Sequence, residues 1–294
     1  METNQKHAQE LPAQNIIATT VTEEPQLSYD PQKADRIAKT ISELLDPEYV
    51  LLFGKLANGT PHSDILAYDL LAITDGPTRY DWYAAKRYLK MKLPYIGHGA
   101  PYVNIYVYSR QYIDANVVPF FYWARKEGIV LHSSRRRKLS RPRNEFDFGY
   151  AATLAKRYAG IFMPPADRLA DYAEQRLDGE HMREAAFAAA QAAVYYYRTL
   201  FYVYHGFEAD TCDTRYLHHR LRTLSGELPL LFESDDFHAA TTLRCLNGYV
   251  AEARYDPKFF VEVDELSQHI DRVKRLGEAV KRVCDKRIGL YEKR

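Results

Sequence analysis

YVLLFG at residues 49–54, KLANGTPHSD at 55–64 and AYDLLAIT at 67–74 together decide the fold. The first is a short apolar run closed by glycine, which reads as a buried strand. The second is polar and rich in turn residues. The third is another apolar run, stopped by Asp75-Gly76-Pro77, and carries one carboxylate, Asp69. Ahead of this core, Ala34, Ile37, Ala38, Ile41, Leu44 and Leu45 recur at helical spacing until Asp46-Pro47 stops them. After it, RYDWYAAKRYLKMK (79–92) reads as a helix, and PYVNIYVYS (101–109) alternates as a third strand. A helical segment after residue 110 leads to a short strand at 129–132. An α/β domain is therefore expected over 31–135, behind a polar, flexible lead-in over 1–30 with Pro12 and Pro25.

SSRRRKLSRPRNEF (133–146) is dense in charge, and 136–146 reads as a basic linker. Beyond it everything is helical. Segments 147–160, 165–178, 181–205, 213–225, 235–254 and 263–292 permit helices, with breaks expected at Pro164-Pro165, Gly179, His205-Gly206, Pro229 and Asp256-Pro257. The fold class is a mixed-sheet α/β domain followed by an all-α bundle over 147–294.

The 294 residues carry 40 Lys plus Arg against 39 Asp plus Glu, a net charge of +1, so any nucleic-acid role must rest on a local patch. Three cysteines, Cys212, Cys245 and Cys284, lie far apart, without CxxC or paired Cys/His spacing. Neither a zinc site nor a disulfide framework is expected, and a reducing compartment fits. METNQKHAQELPAQ has no signal-peptide core, and no run nears the roughly 20 apolar residues of a membrane helix. The expectation is a cytoplasmic protein without membrane contact.

The strand ending in Phe53-Gly54, the loop and the strand bearing Asp69 resemble nucleotidyltransferases of the polymerase-beta type. In that family a loop holds the triphosphate, and three strand carboxylates hold two divalent ions about 3.5–4 Å apart. Here Lys55 stands where the family has Ser. Ala67 stands two residues before Asp69, and Asn104 occupies the third carboxylate position. Magnesium is the cofactor the resemblance raises, with Asp69 as its one ligand, and a single Asp cannot hold the pair. The resemblance thus implies a degenerate site with Gly54, Lys55, Asn58, Gly59 and Asp69 as nucleotide-binding residues. An active transferase would need a second carboxylate from Asp64, Asp75 or Asp81.

A second resemblance covers about 147–290. FAAAQAAVYYYRTLFYVYHGF (187–207) is similar to the long helix of HEPN domains, HRLRTL (219–224) to their H-x-L-x-x-L helix start, and ARYD (253–256) to the Ala-Arg-Tyr closing the next helix. Together the halves resemble two-domain proteins of Bacteroidetes that join the two families. Many HEPN proteins are metal-independent ribonucleases with an Arg-x(4–6)-His pair. His219 matches the histidine. The arginine should stand at Thr214, Asp213 or Cys212, and Arg215 falls one residue short.

These readings imply a protein that binds nucleotide or RNA, in a defence or toxin–antitoxin setting. The rivals are a ribonuclease using His219 and Arg215, an active nucleotidyltransferase, and a scaffold. Arg135, Arg136, Arg137 and Lys138, followed by Arg141 and Arg143, are candidate nucleic-acid contacts. Tyr80, Tyr83, Tyr88 and Tyr95 are candidate stacking residues. Homodimerisation is what the HEPN resemblance implies, and tyrosines such as those at 195–204 are common at interfaces.

Overall fold

The computed structural model describes residues 30–54, 56–57, 67–76, 91–92, 102–115, 118–134, 136–139, 141–142, 145–209, 211–232 and 237–293. The expected lead-in, Lys55, most of the loop after it, nearly all of the helix expected at 79–92, Arg135 and Arg143 lie outside these residues.

Helix α1 (Pro31–Leu45) begins with proline in its first turn, behind an Asp30 cap that accepts from the Lys33 N–H at 3.2 Å. Its buried face, Ala34, Ile37, Ala38 and Ile41, is the one the spacing gives. The sheet contains β1 (Tyr49–Phe53), β2 (Ala67–Thr74), β3 (Tyr102–Ser109) and β4 (Ile129–Ser133), in the order β3-β2-β1-β4. Strand β1 runs antiparallel to β2 and β4, and β3 runs parallel to β2. Two short helices, α2 (Arg110–Ala115) and α3 (Pro119–Glu127), join β3 to β4.

Alternation along the strands divides the sheet into two faces. Val50, Leu52, Leu70, Ala72, Val103 and Ile105 bury against α1. Tyr49, Leu51, Leu71, Ile73 and Tyr106 point the other way and join a second core, which runs without interruption through Phe120 and Phe121 into the helical half. Each buried aliphatic side chain is worth about 1.5–3 kcal/mol.

The helical half comprises α4 (Phe148–Asp178), α5 (Met182–His205), α6 (Thr214–Leu221) with a 3₁₀ turn (Arg222–Leu224), α7 (Glu227–Leu230), α8 (Phe237–Tyr255) and α9 (Val263–Glu292). Helix α5 is central. Ala185, Ala186, Ala188, Ala189, Ala190, Ala192 and Ala193 are all buried, so neighbouring helices approach closely. The α9 backbone at Gly277 comes so near that an added Cβ would lie 2.5 Å from Tyr196 Cζ. Gly206 ends α5 in the left-handed region, with φ +80°.

Two breaks expected from sequence do not occur. Pro164 and Pro165 lie inside α4. A proline removes an N–H and crowds the carbonyl four residues earlier. For Pro164 that residue is Gly160, which is exposed with open space around its Cα, and Pro164 is exposed too. The opposite face, Ala166, Ala170 and Ala173, is buried and carries the helix through. Pro229 likewise does not break the chain where expected: it sits in the first turn of α7, where a backbone N–H would have no intrahelical acceptor, so its lack of one costs nothing. Among the described residues no helix is long and apolar enough to cross a membrane.

Candidate functional site

The pairing registers bring three of the expected residues together. Phe53 lies opposite Asp69, and Asp69 lies opposite Asn104. Gly54 follows with φ +80°, and a Cβ there would come within 3.0 Å of Asp69 Oδ2. A side chain at 54 would therefore be strained and would crowd the carboxylate, so the glycine is required on both counts. Asn104 donates from Nδ2 to Asp69 Oδ1 at 2.8 Å. The asparagine is fully buried, and among the described residues its Oδ1 finds no hydrogen-bond partner. Ala67 stands opposite Tyr102, at the start of the same ladder.

Asp69 and Asn104 lie on the Leu71–Tyr106 face, the one turned toward the helical half. Next to them the two halves interlock. Arg220 of α6 donates from Nη2 to the Ile105 carbonyl at 2.8 Å, and its guanidinium sits 3.9 Å from the Tyr106 ring centroid and 4.8 Å from that of Tyr216. Burial pushes the Tyr106 hydroxyl up to about 12, with Arg220 opposing and Asp69 adding to the rise. Tyr106 Oη and His205 Nε2 are 3.3 Å apart. His205 Nδ1 lies 3.0 Å from the Phe201 carbonyl, which can only accept, so Nδ1 carries the imidazole hydrogen and Nε2 accepts the hydrogen bond of the Tyr106 hydroxyl. Burial holds His205 down at about 3, so it is neutral.

This set does not fit a pair of magnesium ions. It offers one carboxylate with one oxygen already taken by an amide donor, while Ala67, which has no ligand atom, and Asn104, an amide, stand at the other two positions the resemblance would make acidic.

The motif helix α6 opens on an Asp213 cap that accepts from the N–H groups of Arg215 (2.9 Å) and Tyr216 (3.1 Å). Arg215 is exposed, with Nη2 3.4 Å from Asp213 Oδ2. His219, one turn further along the same face, is half-buried. Its neighbour His218 is buried, and its Nδ1 lies 2.8 Å from Tyr197 Oη. The ARYD segment ends α8, where Arg183 donates to the carbonyls of Ala253 (3.0 Å) and Asp256 (2.8 Å).

The basic stretch is partly engaged within the protein. Arg136 pairs with Asp46 at 2.8 Å, and Arg137 with Asp75 at 3.2 Å; Lys138 and Arg141 are exposed. Asp64, Asp81, Asn58, Gly59 and the four tyrosines at 80–95 lie outside the described residues.

Sequence reasoning missed two features. One is Arg220, whose reach to β3 no local pattern announces. The other is a cluster of Cys245, Glu265 and His269, whose ligand atoms lie within 4.8 Å of one another. Only the Glu265–His269 spacing of four residues hinted at it.

The HEPN domain family matches residues 162–283, from within α4 to within α9. No curated protein matches the chain.

Proposed function

We propose, with a HEPN domain standing behind a mixed α/β domain as the premise, that this protein binds a nucleotide or a short stretch of RNA where its halves meet. The α/β half serves as a degenerate nucleotidyltransferase-like domain that recognises a ligand and transfers nothing. The observation that carries the reading is the convergence of Gly54, Asp69 and Asn104 on the face that packs against the helical half. The Oδ1 of Asn104, buried and unpartnered among the described residues, and the acceptor oxygens of Asp69 suit the N–H and hydroxyl groups of a nucleoside. Lys55 and the backbone N–H groups of the glycine-containing loop suit its phosphates. A sensor joined to an RNA-facing bundle suits a defence or toxin–antitoxin setting. Isothermal titration of ATP, GTP, CTP, UTP and a short mixed RNA, each with and without magnesium, tests it. Heat is expected for at least one of them, with little dependence on the metal. No heat with any would remove the proposal.

One observation favours a second reading. Arg215 and His219 share a face of α6 one turn apart, and neither is fully buried. In a ribonuclease the imidazole would take the 2′-hydroxyl proton, and the guanidinium would steady the charge on phosphorus, without a metal. Mixed RNA should then be cleaved by the wild type and spared by His219→Ala. Equal products from both, or none from either, would end this reading.

A further inference from the structure

The Cys245, Glu265 and His269 cluster lies between α8 and α9, away from the sheet end that holds Asp69 and Asn104, and plays no part in the proposal above. Cys245 and Tyr249 come from α8, Glu265 and His269 from α9, and the four side chains meet where the helices face each other. Cys245 Sγ is 3.8 Å from Glu265 Oε1, and His269 Nε2 is 3.9 Å from the same oxygen. The thiol thus donates a long hydrogen bond to the carboxylate oxygen that also faces the imidazole, and the three ligand atoms lie within 4.8 Å of one another. A zinc ion at 2.0–2.3 Å from each ligand atom would place tetrahedral ligands about 3.4–3.7 Å apart. Shifts of a few tenths of an ångström up to about 1 Å would bring all three onto one ion.

Three further features suit a metal. His269 is 1% exposed, and its Nδ1 lies 3.0 Å from Tyr249 Oη, which fixes the ring and leaves Nε2 turned toward the other ligands. The charges balance, because a thiolate and a carboxylate neutralise a divalent ion while imidazole adds none. Three protein ligands would leave the fourth tetrahedral position of an ion for water. Glu252 follows Cys245 by two turns on α8. Its carboxylate folds back over Gly248, where a Cβ would lie 2.8 Å from Glu252 Oε1. In the metal-free protein, burial and then Glu265 raise the Cys245 thiol, so it keeps its proton.

We propose that Cys245, Glu265 and His269 bind one zinc ion, which staples α8 to α9. On binding, the S–H bond breaks, its proton passes to water, and the sulfur–zinc bond forms without any change of oxidation state. The opposite side of α8 holds the start of α6: Asn247 Oδ1 accepts from the Thr214 N–H at 3.2 Å, and the Leu243 carbonyl from the Thr214 hydroxyl at 3.4 Å. The ion thus steadies the helix on which the motif helix is seated.

Cobalt titration of the full-length, chelator-treated protein tests this. The expected result is one equivalent of Co²⁺, with the intense visible absorption of a four-coordinate site and a thiolate charge-transfer band in the near ultraviolet, both displaced by Zn²⁺. Cys245→Ser should abolish the thiolate band. Glu265→Gln should weaken binding about tenfold or more. Cys212→Ser should change neither, and far-ultraviolet circular dichroism should confirm that every variant is folded. Weak absorption typical of six-coordinate cobalt, a thiolate band that survives Cys245→Ser, or no binding below millimolar Co²⁺ would overturn the proposal.

Discussion

Asn104 sets what the end of the sheet can hold, because its amide hydrogen-bonds a carboxylate that a metal would otherwise claim. Restoring an acid there should be costly. Asn104→Asp places two carboxylates side by side at a buried position, and like charges so close cannot both ionise at neutral pH. Thermal unfolding should show a loss of about 1–3 kcal/mol at pH 7 that shrinks by pH 5, as the pair takes up a proton. His205 gives an independent test. Its folded value near 3 lies below the ordinary 6.5, so the unfolded chain binds the proton first as pH falls. The stability this residue confers is complete above pH 6.5 and is lost toward pH 3, by at most about 1.4 kcal/mol per pH unit. Urea titrations of wild type and His205→Phe at pH 7, 6 and 5 should show a flatter pH dependence in the variant; parallel curves would refute the assignment. That Asp69 and Asn104 lie on strands was legible in the sequence, from alternation and β-branched content, but the register that sets them side by side is known only from the fold. The tie between Arg220 and β3 was not legible, since sequence spacing cannot say which side of a helix meets a distant sheet.

The central α5 packs through alanines, and α9 meets it at a glycine. Gly277→Ala gains helix propensity but drives a methyl into the Tyr196 ring, whose hydroxyl is held 2.8 Å from Asp167 Oδ1. Overpacking of this kind should cost about 1–3 kcal/mol, readable as a lower urea midpoint at unchanged slope. The described strands, and the helices at 31–45, 182–205 and 263–292, follow the periods written in their residues. Helix α4 does not: two adjacent prolines ordinarily end a helix, and only the buried alanine face beyond them, a tertiary feature, keeps it going. The Cys245–Glu265–His269 cluster escaped notice for a similar reason. Twenty residues separate the first two ligands, and only the antiparallel return of the chain closes the gap.

In the whole molecule, the α/β half and the helical half are distinct in pattern, and that division was legible. Their common core was not. Residues of β1, β2, β3, α3 and α5 belong to one apolar cluster, so neither half can unfold without stripping the other of buried surface. Calorimetry should therefore show a single transition with matching calorimetric and van't Hoff enthalpies, and two resolved transitions would contradict the shared core. A last consequence comes from the arginine that anchors α6 to the strand carrying Asn104. Residue 219 is one peptide unit from that anchor. A shift of β3 that keeps this bond would pull on α6 next to His219, so the sheet and the histidine are mechanically tethered through a single guanidinium.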